Sequence, residues 1–389
     1  MDKKQEKVLE YHLRHQGKIK VSTFKKIRSK SDLSLAYTPG VADICKEIAS
    51  DPTTAKKYTM KGRMVAIVTD GSAVLGLGNI GPLPALPVME GKAALLYEFA
   101  GIETFPICLN AKTPDEIISA VKMIAPEFAA IMLEDIAAPA CVMIERKLQE
   151  LLDVPVFHDD QHGTAIVVGA AMINASKLTK RPLTDLKVVV SGTGAAGSNV
   201  CRMLKMLGVK TIYAYDKLGV VRKDKLMQYD FVVRELLEEG IVTDPGKNID
   251  DLAGLVRNKD VFIGVSAPGI LTPEMVSGMN RDPMIFALAN PEPEIRPEVA
   301  KAAGALIVAS GRSDYPNQIN NVLVFPGLMK GLLASQAKSV TLEMKKAAAI
   351  ALASVMDEKT LDFEHVIPDP FDKRAVEAVA KAIASCVKS

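Results

Sequence analysis

Long apolar runs, an excess of charge of one sign and paired cysteines are all absent from this 389-residue chain. No apolar run approaches the ~20 residues that a membrane-spanning helix needs, and residues 1–10 lack the apolar centre of a signal peptide. The 48 Lys and Arg against 46 Asp and Glu leave a net charge of +2, too little to attract nucleic acid or anionic lipid. Five cysteines, none in a C-x-x-C pair, predict reduced thiols in a cytoplasmic protein without a disulfide framework or zinc ribbon.

What the chain does contain is a globular composition and a regular alternation of strands and helices. Hydrophobic residues make up 48% and charged residues 24%, and the length predicts two or three domains. Strands are predicted over residues 64–69, 129–133, 154–157, 187–191, 211–215, 261–265, 284–288 and 305–309. Helices are predicted over residues 2–16, 164–178, 198–207 and 373–389, and one begins at the capping sequence Thr113-Pro-Asp-Glu116. This alternation predicts parallel sheets covered on both faces.

A glycine-rich segment follows the strand predicted over residues 187–191 and precedes a predicted helix. Its glycines allow a tight turn and a close approach of backbone N–H groups to a pyrophosphate at the helix N-terminus. The next strand closes at an aspartate that would accept hydrogen bonds from the adenine ribose. The alternative is a tight turn without a ligand. The pattern predicts a dinucleotide site formed by Gly192, Thr193, Gly194, Ala195, Ala196, Gly197 and Asp216. It also predicts an α/β fold with a C-terminal Rossmann-type doubly wound parallel sheet behind an N-terminal α/β domain.

A second glycine-rich segment, Gly76-Leu-Gly-Asn-Ile-Gly81, begins six residues beyond the end of its strand and is followed by prolines. It also lacks a following strand that ends in an acidic residue, so it is a weak match to a second dinucleotide site. We expect Gly76 and Gly78 to allow a close backbone approach to a ligand from the other domain. A flexible turn is the alternative.

Four acidic residues follow two predicted strands, namely Glu134-Asp135 and Asp159-Asp160. The carboxyl ends of parallel strands are where α/β proteins bind ligands, and carboxylates that converge there need a cation. Oxygen ligands of this kind favour Mg²⁺ or Mn²⁺. The alternative is two separate, solvated loop segments.

Two histidines four positions apart, His158 and His162, raise the possibility of a zinc hydrolase. The glutamate of the H-E-x-x-H pattern is missing and carboxylates outnumber imidazoles, so we expect these histidines to belong to a polar loop.

Lys92 and Tyr37 are candidates for proton transfer. Lys92 precedes a long apolar stretch, where burial would lower its pKa and allow it to act as a base. Tyr37 adjoins a Pro-Gly turn and offers a hydroxyl that can act as an acid. A solvated surface lysine and a packing tyrosine are the alternatives.

Eight segments occur in a fixed order along the chain. They are S-L-A-Y-T-P-G-V-A around Tyr37, T-D-G-S-A-V-L-G-L-G-N-I-G from Thr69, M-E-G-K around Lys92, L-E-D-I at Glu134, H-D-D-Q-H-G-T-A through Asp160, G-T-G-A-A-G from Gly192, A-L-A-N-P at Asn290 and N-N-V-L-V-F-P-G at Asn320. In this order and spacing the chain resembles the malic enzymes over nearly its whole length. That length matches the compact bacterial and archaeal form.

The resemblance implies oxidative decarboxylation of (S)-malate to pyruvate and CO₂ with NAD⁺ or NADP⁺ and Mg²⁺ or Mn²⁺. It implies a catalytic domain over residues 1–163 and an NAD(P)-binding domain over residues 164–389. Lys92 is the implied general base on the C2 hydroxyl, with Asp159 beside it, and Tyr37 is the implied acid that protonates C3. The implied metal ligands are Glu134, Asp135 and Asp160. The implied cofactor and substrate contacts are Gly76, Gly78, Thr164, Asn290, Asn320 and Asn321. The family also suggests a homodimer in which one site residue reaches across the interface.

One position departs from the family pattern. Larger relatives carry an arginine before L-G-L-G that binds a substrate carboxylate, and Ala73 stands there in this chain. Either another group binds that carboxylate or the substrate fits differently. Two other functions remain open at this point: a metal-independent amino-acid dehydrogenase with a catalytic lysine, and a catalytically silent nucleotide-binding regulator.

The choice between the two cofactors depends on the residues around Asp216. Its carboxylate favours ribose hydroxyls and repels a 2′-phosphate, whereas Lys217, Arg222 and Lys223 could neutralise it and bind that phosphate. We expect NAD⁺ to be preferred, with measurable use of NADP⁺.

Overall fold

The computed structural model describes residues 3–388, and its first 60 residues lie on the surface. Every described side chain from residue 5 to residue 63 is exposed or half-buried. The predicted helix start at Asp2 and the predicted end of the last helix at Ser389 lie outside the described residues. The helices of this segment are α1 (Lys3–His15), α2 (Lys30–Ala36), α3 (Val41–Ser50) and α4 (Ala55–Tyr58).

A four-stranded parallel sheet follows, with the strand order β2-β1-β3-β4. Its strands are β1 (Val65–Thr69), β2 (Thr104–Cys108), β3 (Ala130–Leu133) and β4 (Val156–His158). The connecting helices are α5 (Pro82–Ala100), α6 (Pro114–Ile124) and α7 (Ala140–Leu151). Every residue of β1 and β3 is buried, as expected for central strands covered on both faces. The predicted cap of α6 is confirmed, because the Thr113 side chain accepts a hydrogen bond from the Glu116 N–H.

The long helix α8 (Asp159–Thr179) connects this sheet to the second one. It begins five residues before the predicted start at residue 164, because the Nδ1 atom of His158 caps it by accepting from the Gln161 N–H at 3.4 Å. Apolar residues of α8 belong to one core together with residues of both sheets, such as Ile67 and Val190. The division predicted between residues 163 and 164 falls inside this helix and stays a prediction.

The second sheet has six strands in the order β10-β9-β8-β5-β6-β7. The strands are β5 (Lys187–Ser191), β6 (Thr211–Asp216), β7 (Gly219–Val220), β8 (Val261–Gly264), β9 (Met284–Ala287) and β10 (Ile307–Ser310). All are parallel except β7, which pairs antiparallel with β6. The helices between them are α9 (Ala195–Met206), α10 (Phe231–Glu238), α11 (Leu252–Val256), α12 (Pro273–Ser277) and α13 (Pro297–Ala302). The chain turns in opposite directions from β5, which creates the switch point where doubly wound sheets bind ligands.

Three C-terminal helices complete the molecule: α14 (Phe325–Ser335), α15 (Leu342–Ala353) and α16 (Lys373–Lys388). They pack on one another, and α15 also packs on α8. Within residues 3–388, each helix is too short or too polar to traverse a lipid bilayer. The arrangement confirms the predicted α/β fold with two parallel sheets.

Candidate active site

The four acidic residues predicted to form a cluster lie at the carboxyl edge of the first sheet. Glu134 and Asp135 directly follow β3, and Asp159 and Asp160 form the first turn of α8 directly after β4. The candidate ligand atoms of Glu134, Asp135 and Asp160 all lie within 4.8 Å of one another. The structure therefore brings together the acids that the sequence leaves 25 positions apart.

Local geometry fits this cluster to a hard divalent cation. Asp135 has a left-handed backbone with a φ of 53°, and its N–H donates to Asp160 Oδ2 at 2.8 Å. Within residues 3–388, the buried oxygens Glu134 Oε2 and Asp135 Oδ2 find no hydrogen-bond donor. Three carboxylates, two of which have unsatisfied buried oxygens, suit Mg²⁺ or Mn²⁺, since these ions take oxygen ligands.

Burial and mutual repulsion make Glu134, Asp135 and Asp159 reluctant to ionise. Burial raises the pKa of Glu134, Asp159 and Asp135, and for Asp135 burial followed by the charge of Asp160 brings the pKa to about 7. A bound cation would offset this repulsion by pairing with the ionised forms.

Lys92 lies between two of the acids. It projects from α5 and is 8% exposed, with its Nζ atom 2.5 Å from Asp159 Oδ2 and 2.8 Å from Glu134 Oε1. Its ammonium group also lies 4.4 Å from the centre of the Phe325 ring. Burial lowers the pKa of Lys92, but the carboxylates of Asp159 and Glu134 raise it further, so the net pKa lies above the ordinary lysine value. The predicted lowering is therefore wrong for this arrangement of charges.

The second sheet presents an uncharged edge built from glycine and alanine. Gly192 has a φ of 97° and its N–H donates to the carbonyl of Tyr215. A Cβ atom on Gly197 would lie 1.7 Å from the Gly192 carbonyl oxygen, so only glycine fits there. Helix α9 begins at Ala195, three residues before the predicted start. Asp216 closes β6 and accepts a hydrogen bond from Thr193 Oγ1 at 3.2 Å.

A cavity of ≈ 610 Å³ separates the two edges. Several predicted site residues line it, together with Ala73: Gly76, Gly78, Asp135, Asp160, Thr164, Ala195, Ala196, Asn290, Asn320 and Asn321. The glycine-rich loop after β1 extends from the first sheet towards the second, and its predicted close approach to a ligand stays a prediction. A Cβ atom on Gly76 would lie 3.3 Å from Pro291 Cδ, which shows how closely the loop approaches the second sheet.

Tyr37 lies elsewhere in the chain. It follows α2 in the surface segment, is 65% exposed and is not among the residues that line the cavity. Within residues 3–388 of one chain, the structure therefore does not bring Tyr37 to Lys92.

The two histidines are buried, so their assignment to a polar loop is wrong. His158 ends β4 and His162 lies in α8, where its Nε2 atom is 2.8 Å from Glu145 Oε2 and 3.0 Å from Lys345 Nζ. Sequence reasoning missed Glu145 and Lys345. A signal existed for Glu145, because it shares the buried face of α7 with Cys141 and Leu148 at helical spacing.

Comparison with known proteins agrees with the motifs. The family model described as malic enzyme, N-terminal domain, matches residues 16–149, and that described as malic enzyme, NAD binding domain, matches residues 161–388. A Bacillus subtilis protein named bifunctional malic/malolactic enzyme is 49% identical over 97% of this chain and 92% of its own length. A Geobacillus stearothermophilus protein named NAD-dependent malic enzyme is 49% identical over 94% of this chain and 76% of its own length. The crystal structure of an NAD-dependent malic enzyme from Thermotoga maritima superposes with a TM-score of 0.92 at 47% identity, covering 97% of this chain and 98% of that one.

Proposed function

The chain belongs to the malic enzyme family and is an NAD(P)-dependent oxidoreductase that decarboxylates malate; we propose that the reaction takes place in the cavity between the two sheet edges. The observation that carries this proposal is the acidic cluster, in which Asp135 and Asp160 line the cavity while Glu134 and Asp159 contact Lys92. The family assignment excludes the alternative of a metal-independent amino-acid dehydrogenase.

We propose that Glu134, Asp135 and Asp160 hold Mg²⁺ or Mn²⁺. When bound, the ion supplies Lewis-acid polarisation of the C2 oxygen and stabilises the charge that develops on it. Lys92 would accept the proton of the C2 hydroxyl as the neutral amine, once a bound cation offsets the carboxylate charges that raise its pKa, and Asp159 would orient its Nζ atom. Gly192–Gly197 would hold the pyrophosphate of the dinucleotide, and Asn290 would lie beside its nicotinamide ring, which would accept the C2 hydride.

The deciding experiment is a turnover assay with malate, NAD⁺ and Mn²⁺ that measures pyruvate and NADH together. We expect stoichiometric formation of both and loss of activity in excess chelator. Unchanged turnover with the chelator would refute the metal assignment, and no turnover under any condition would favour a silent nucleotide-binding protein.

The malate carboxylates need partners other than an arginine. Ala73 lines the cavity, and no arginine is among the described residues that line it; Lys92 is not a lining residue itself and contacts Glu134 and Asp159 of the acidic cluster. The amides of Asn290, Asn320 and Asn321 are available there and can donate to carboxylate oxygens. We propose these three residues as substrate contacts in addition to the metal.

We propose that the acid Tyr37 acts in the site of a second copy of the chain. Support comes from its distance from the cavity and from the many exposed apolar side chains around it, including Phe24 at 87% and Leu35 at 75% exposure. A surface segment of this kind suits a symmetric homodimer, in which it packs on the other chain. The five cysteines form no disulfide within residues 3–388, which supports a cytoplasmic location for this dimer.

Mixing two inactive variants tests this arrangement. Lys92→Ala and Tyr37→Phe should each be nearly inactive, and each proton-transfer group typically contributes ~10²–10⁴ in rate. If Tyr37 serves the partner's site, dissociating and reassociating a mixture of the two creates one intact site in each mixed dimer, and activity returns. No recovery, with mixed dimers verified by mass spectrometry, would place Tyr37 and Lys92 of one chain in the same site.

The surroundings of Asp216 favour NAD⁺. Arg222 is mostly buried and its Nη1 atom donates to Asp250 Oδ1 at 2.8 Å, which occupies the arginine that could have bound a 2′-phosphate. Lys225 donates to the carbonyl of Leu218 at 3.1 Å. Lys217 and Lys223 are the exposed cations left near Asp216, and exposed charges contribute only ~0–1 kcal/mol each.

A further inference from the structure

A buried polar cluster formed by Glu145, His162 and Lys345 has no part in the mechanism above. The three side chains come from α7, α8 and α15, and are 4%, 7% and 8% exposed. Burying a charged group costs free energy of folding unless the group is paired and hydrogen-bonded. The contacts that this cluster makes beside the candidate site indicate its role.

Glu145 is the centre of the cluster. Its Oε1 atom accepts from the His158 N–H at 3.0 Å, and its Oε2 atom accepts from Gln161 Nε2 at 3.2 Å. The Nε2 atom of His162 lies 2.8 Å from Oε2 as well. The carboxylate of Glu145 therefore contacts one residue before the two aspartates that begin α8 and two residues after them.

Lys345 connects this carboxylate to the C-terminal helices. Its Nζ atom lies 3.0 Å from His162 Nε2, and that ring nitrogen can either donate to Glu145 or accept from Lys345, but not both with one proton. Lys345 thus brings a positive charge to the side of His162 that faces Glu145.

The turn that Glu145 holds carries two residues of the candidate site. Asp159 contacts Lys92 at 2.5 Å, and Asp160 accepts from the Asp135 N–H at 2.8 Å. The first contact depends on where the first turn of α8 lies relative to α5, and the second on where it lies relative to the end of β3. Groups that orient metal ligands from outside the coordination shell typically change metal affinity or activity by ~10–100-fold when they are removed.

We propose that Glu145 is a positioning residue that fixes the first turn of α8, so that Asp160 meets the other metal ligands and Asp159 meets Lys92. This inference rests on the proposed function for the roles of those two aspartates. Lys345 and His162 extend the restraint to α15, which ties the metal-binding edge to the C-terminal part of the chain.

The main test is Glu145→Gln, which keeps the size of the side chain but turns one acceptor oxygen into an NH₂ group that faces donors. Calorimetry should show a Kd for Mn²⁺ raised ~10–100-fold and an NAD⁺ Kd within about twofold of the wild type. A rise in kcat for malate, or an unchanged kcat together with an unchanged Mn²⁺ Kd in a folded variant, would overturn the inference.

Glu294→Gln is the matched control. Glu294 is also a fully buried carboxylate at a sheet edge, but it accepts from the N–H groups of Ser266 at 2.9 Å and Ala289 at 3.0 Å, which line the nucleotide side of the cavity. Its loss should weaken NAD⁺ binding and leave the Mn²⁺ Kd within about twofold of the wild type. An equal loss of Mn²⁺ affinity in both variants would show a general effect of removing a buried charge and would overturn the specific role of Glu145.

A second variant and a second measurement guard against misfolding. Glu145→Asp keeps the charge that balances Lys345 but is one methylene too short to contact His158 and Gln161 together, so the Mn²⁺ Kd should rise in a folded protein. Hydrogen exchange of residues 156–162, measured without metal, should be faster in both variants, and unchanged exchange would overturn the inference. Absence of Mn²⁺ binding by the wild-type protein would instead refute the proposed metal site, and the exchange rates would still decide the role of Glu145.

Discussion

The two sheets present opposite kinds of edge to the same cavity. The edge of the first sheet gathers buried charged side chains, with Lys92 between Asp159 and Glu134. The edge of the second sheet consists of glycine and alanine backbone at the start of α9. The first edge therefore acts through side-chain charge, and the second through backbone N–H groups and the space left by missing side chains.

Because of this difference, different kinds of substitution should impair ligand binding at the two edges. Buried charges stabilise one another only as a complete set, so the loss of one carboxylate changes the protonation and position of the others. The backbone N–H groups of the second edge do not titrate, and binding there depends on volume because a pyrophosphate must approach these groups closely. Charge changes should thus affect the first edge and size changes the second.

The largest effect is expected for Asp160→Asn. The change removes one of the three candidate metal ligands and leaves the volume nearly unchanged, so malate turnover should fall to background while the NAD⁺ Kd stays within about twofold of the wild type. Steady-state kinetics and calorimetry measure the two quantities. Asp185→Asn, at an exposed position on the surface, is the control for loss of a carboxylate. Substantial turnover by Asp160→Asn would refute the assignment of Asp160 as a metal ligand that the reaction needs.

The reciprocal change is Gly197→Ala. Its added Cβ atom would lie 1.7 Å from the Gly192 carbonyl oxygen, so the glycine turn must shift. Overpacking of this kind typically costs ~1–3 kcal/mol, and we expect NAD⁺ affinity to fall by up to ~10²-fold. The Kd for Mn²⁺ should remain near the wild-type value. A loss of Mn²⁺ affinity equal to the loss of NAD⁺ affinity would mean that the two edges are not separate in function.

Sequence alone predicted the features that depend on neighbouring residues. The apolar runs of β1 and β5, the cap of α6 at Thr113 and the glycine turn before α9 all combine residues a few positions apart. Strand β2 was missed because it lies at the sheet edge, is half-buried and contains Pro106, so it lacks the strong apolar pattern of the central strands.

The features that sequence did not predict depend on partners far along the chain. The first turn of α8 looks like a polar loop, because the group that satisfies it, Glu145, lies 13 positions before His158. The pKa of Lys92 moves opposite to the prediction because Asp159, 67 positions away, lies against it. Tyr37 lies in an exposed segment away from the cavity, and no local pattern around its Pro-Gly turn indicates this.

A third test measures how pH changes Mn²⁺ binding at the edge of the first sheet. The pKa of Asp135 is raised from 3.8 to about 7, so the folded protein holds this proton more tightly than the unfolded chain does. This group therefore makes the metal-free protein less stable as the pH rises from about 4 to about 7. Because Mn²⁺ needs the ionised carboxylate, its Kd should be ~10-fold higher at pH 6 than at pH 8. The shift in Tm caused by Mn²⁺ should likewise be larger at pH 8. An Mn²⁺ Kd that is constant over this range would contradict the assignment of Asp135 as a ligand.

The smallest effect is expected for Asp216→Ala, which removes the carboxylate at the end of β6. Asp216 receives hydrogen bonds from Thr193 Oγ1 and, at 2.7 Å, from the Leu218 N–H, so its carboxylate is held where the adenine ribose would bind. Its removal ends the repulsion of a 2′-phosphate and also takes away an acceptor for the ribose hydroxyls. The nearby cations add little, since Arg222 already donates to Asp250. We therefore expect the ratio of kcat/KM for NADP⁺ to that for NAD⁺ to rise about fivefold, which corresponds to ~1 kcal/mol. Kinetics with both cofactors in the wild-type protein and the variant measure this ratio, and Glu238→Ala, at an exposed position of α10, is the control for a general change of charge. A wild-type preference for NADP⁺, or an unchanged ratio in Asp216→Ala, would show that cofactor choice is made by other residues.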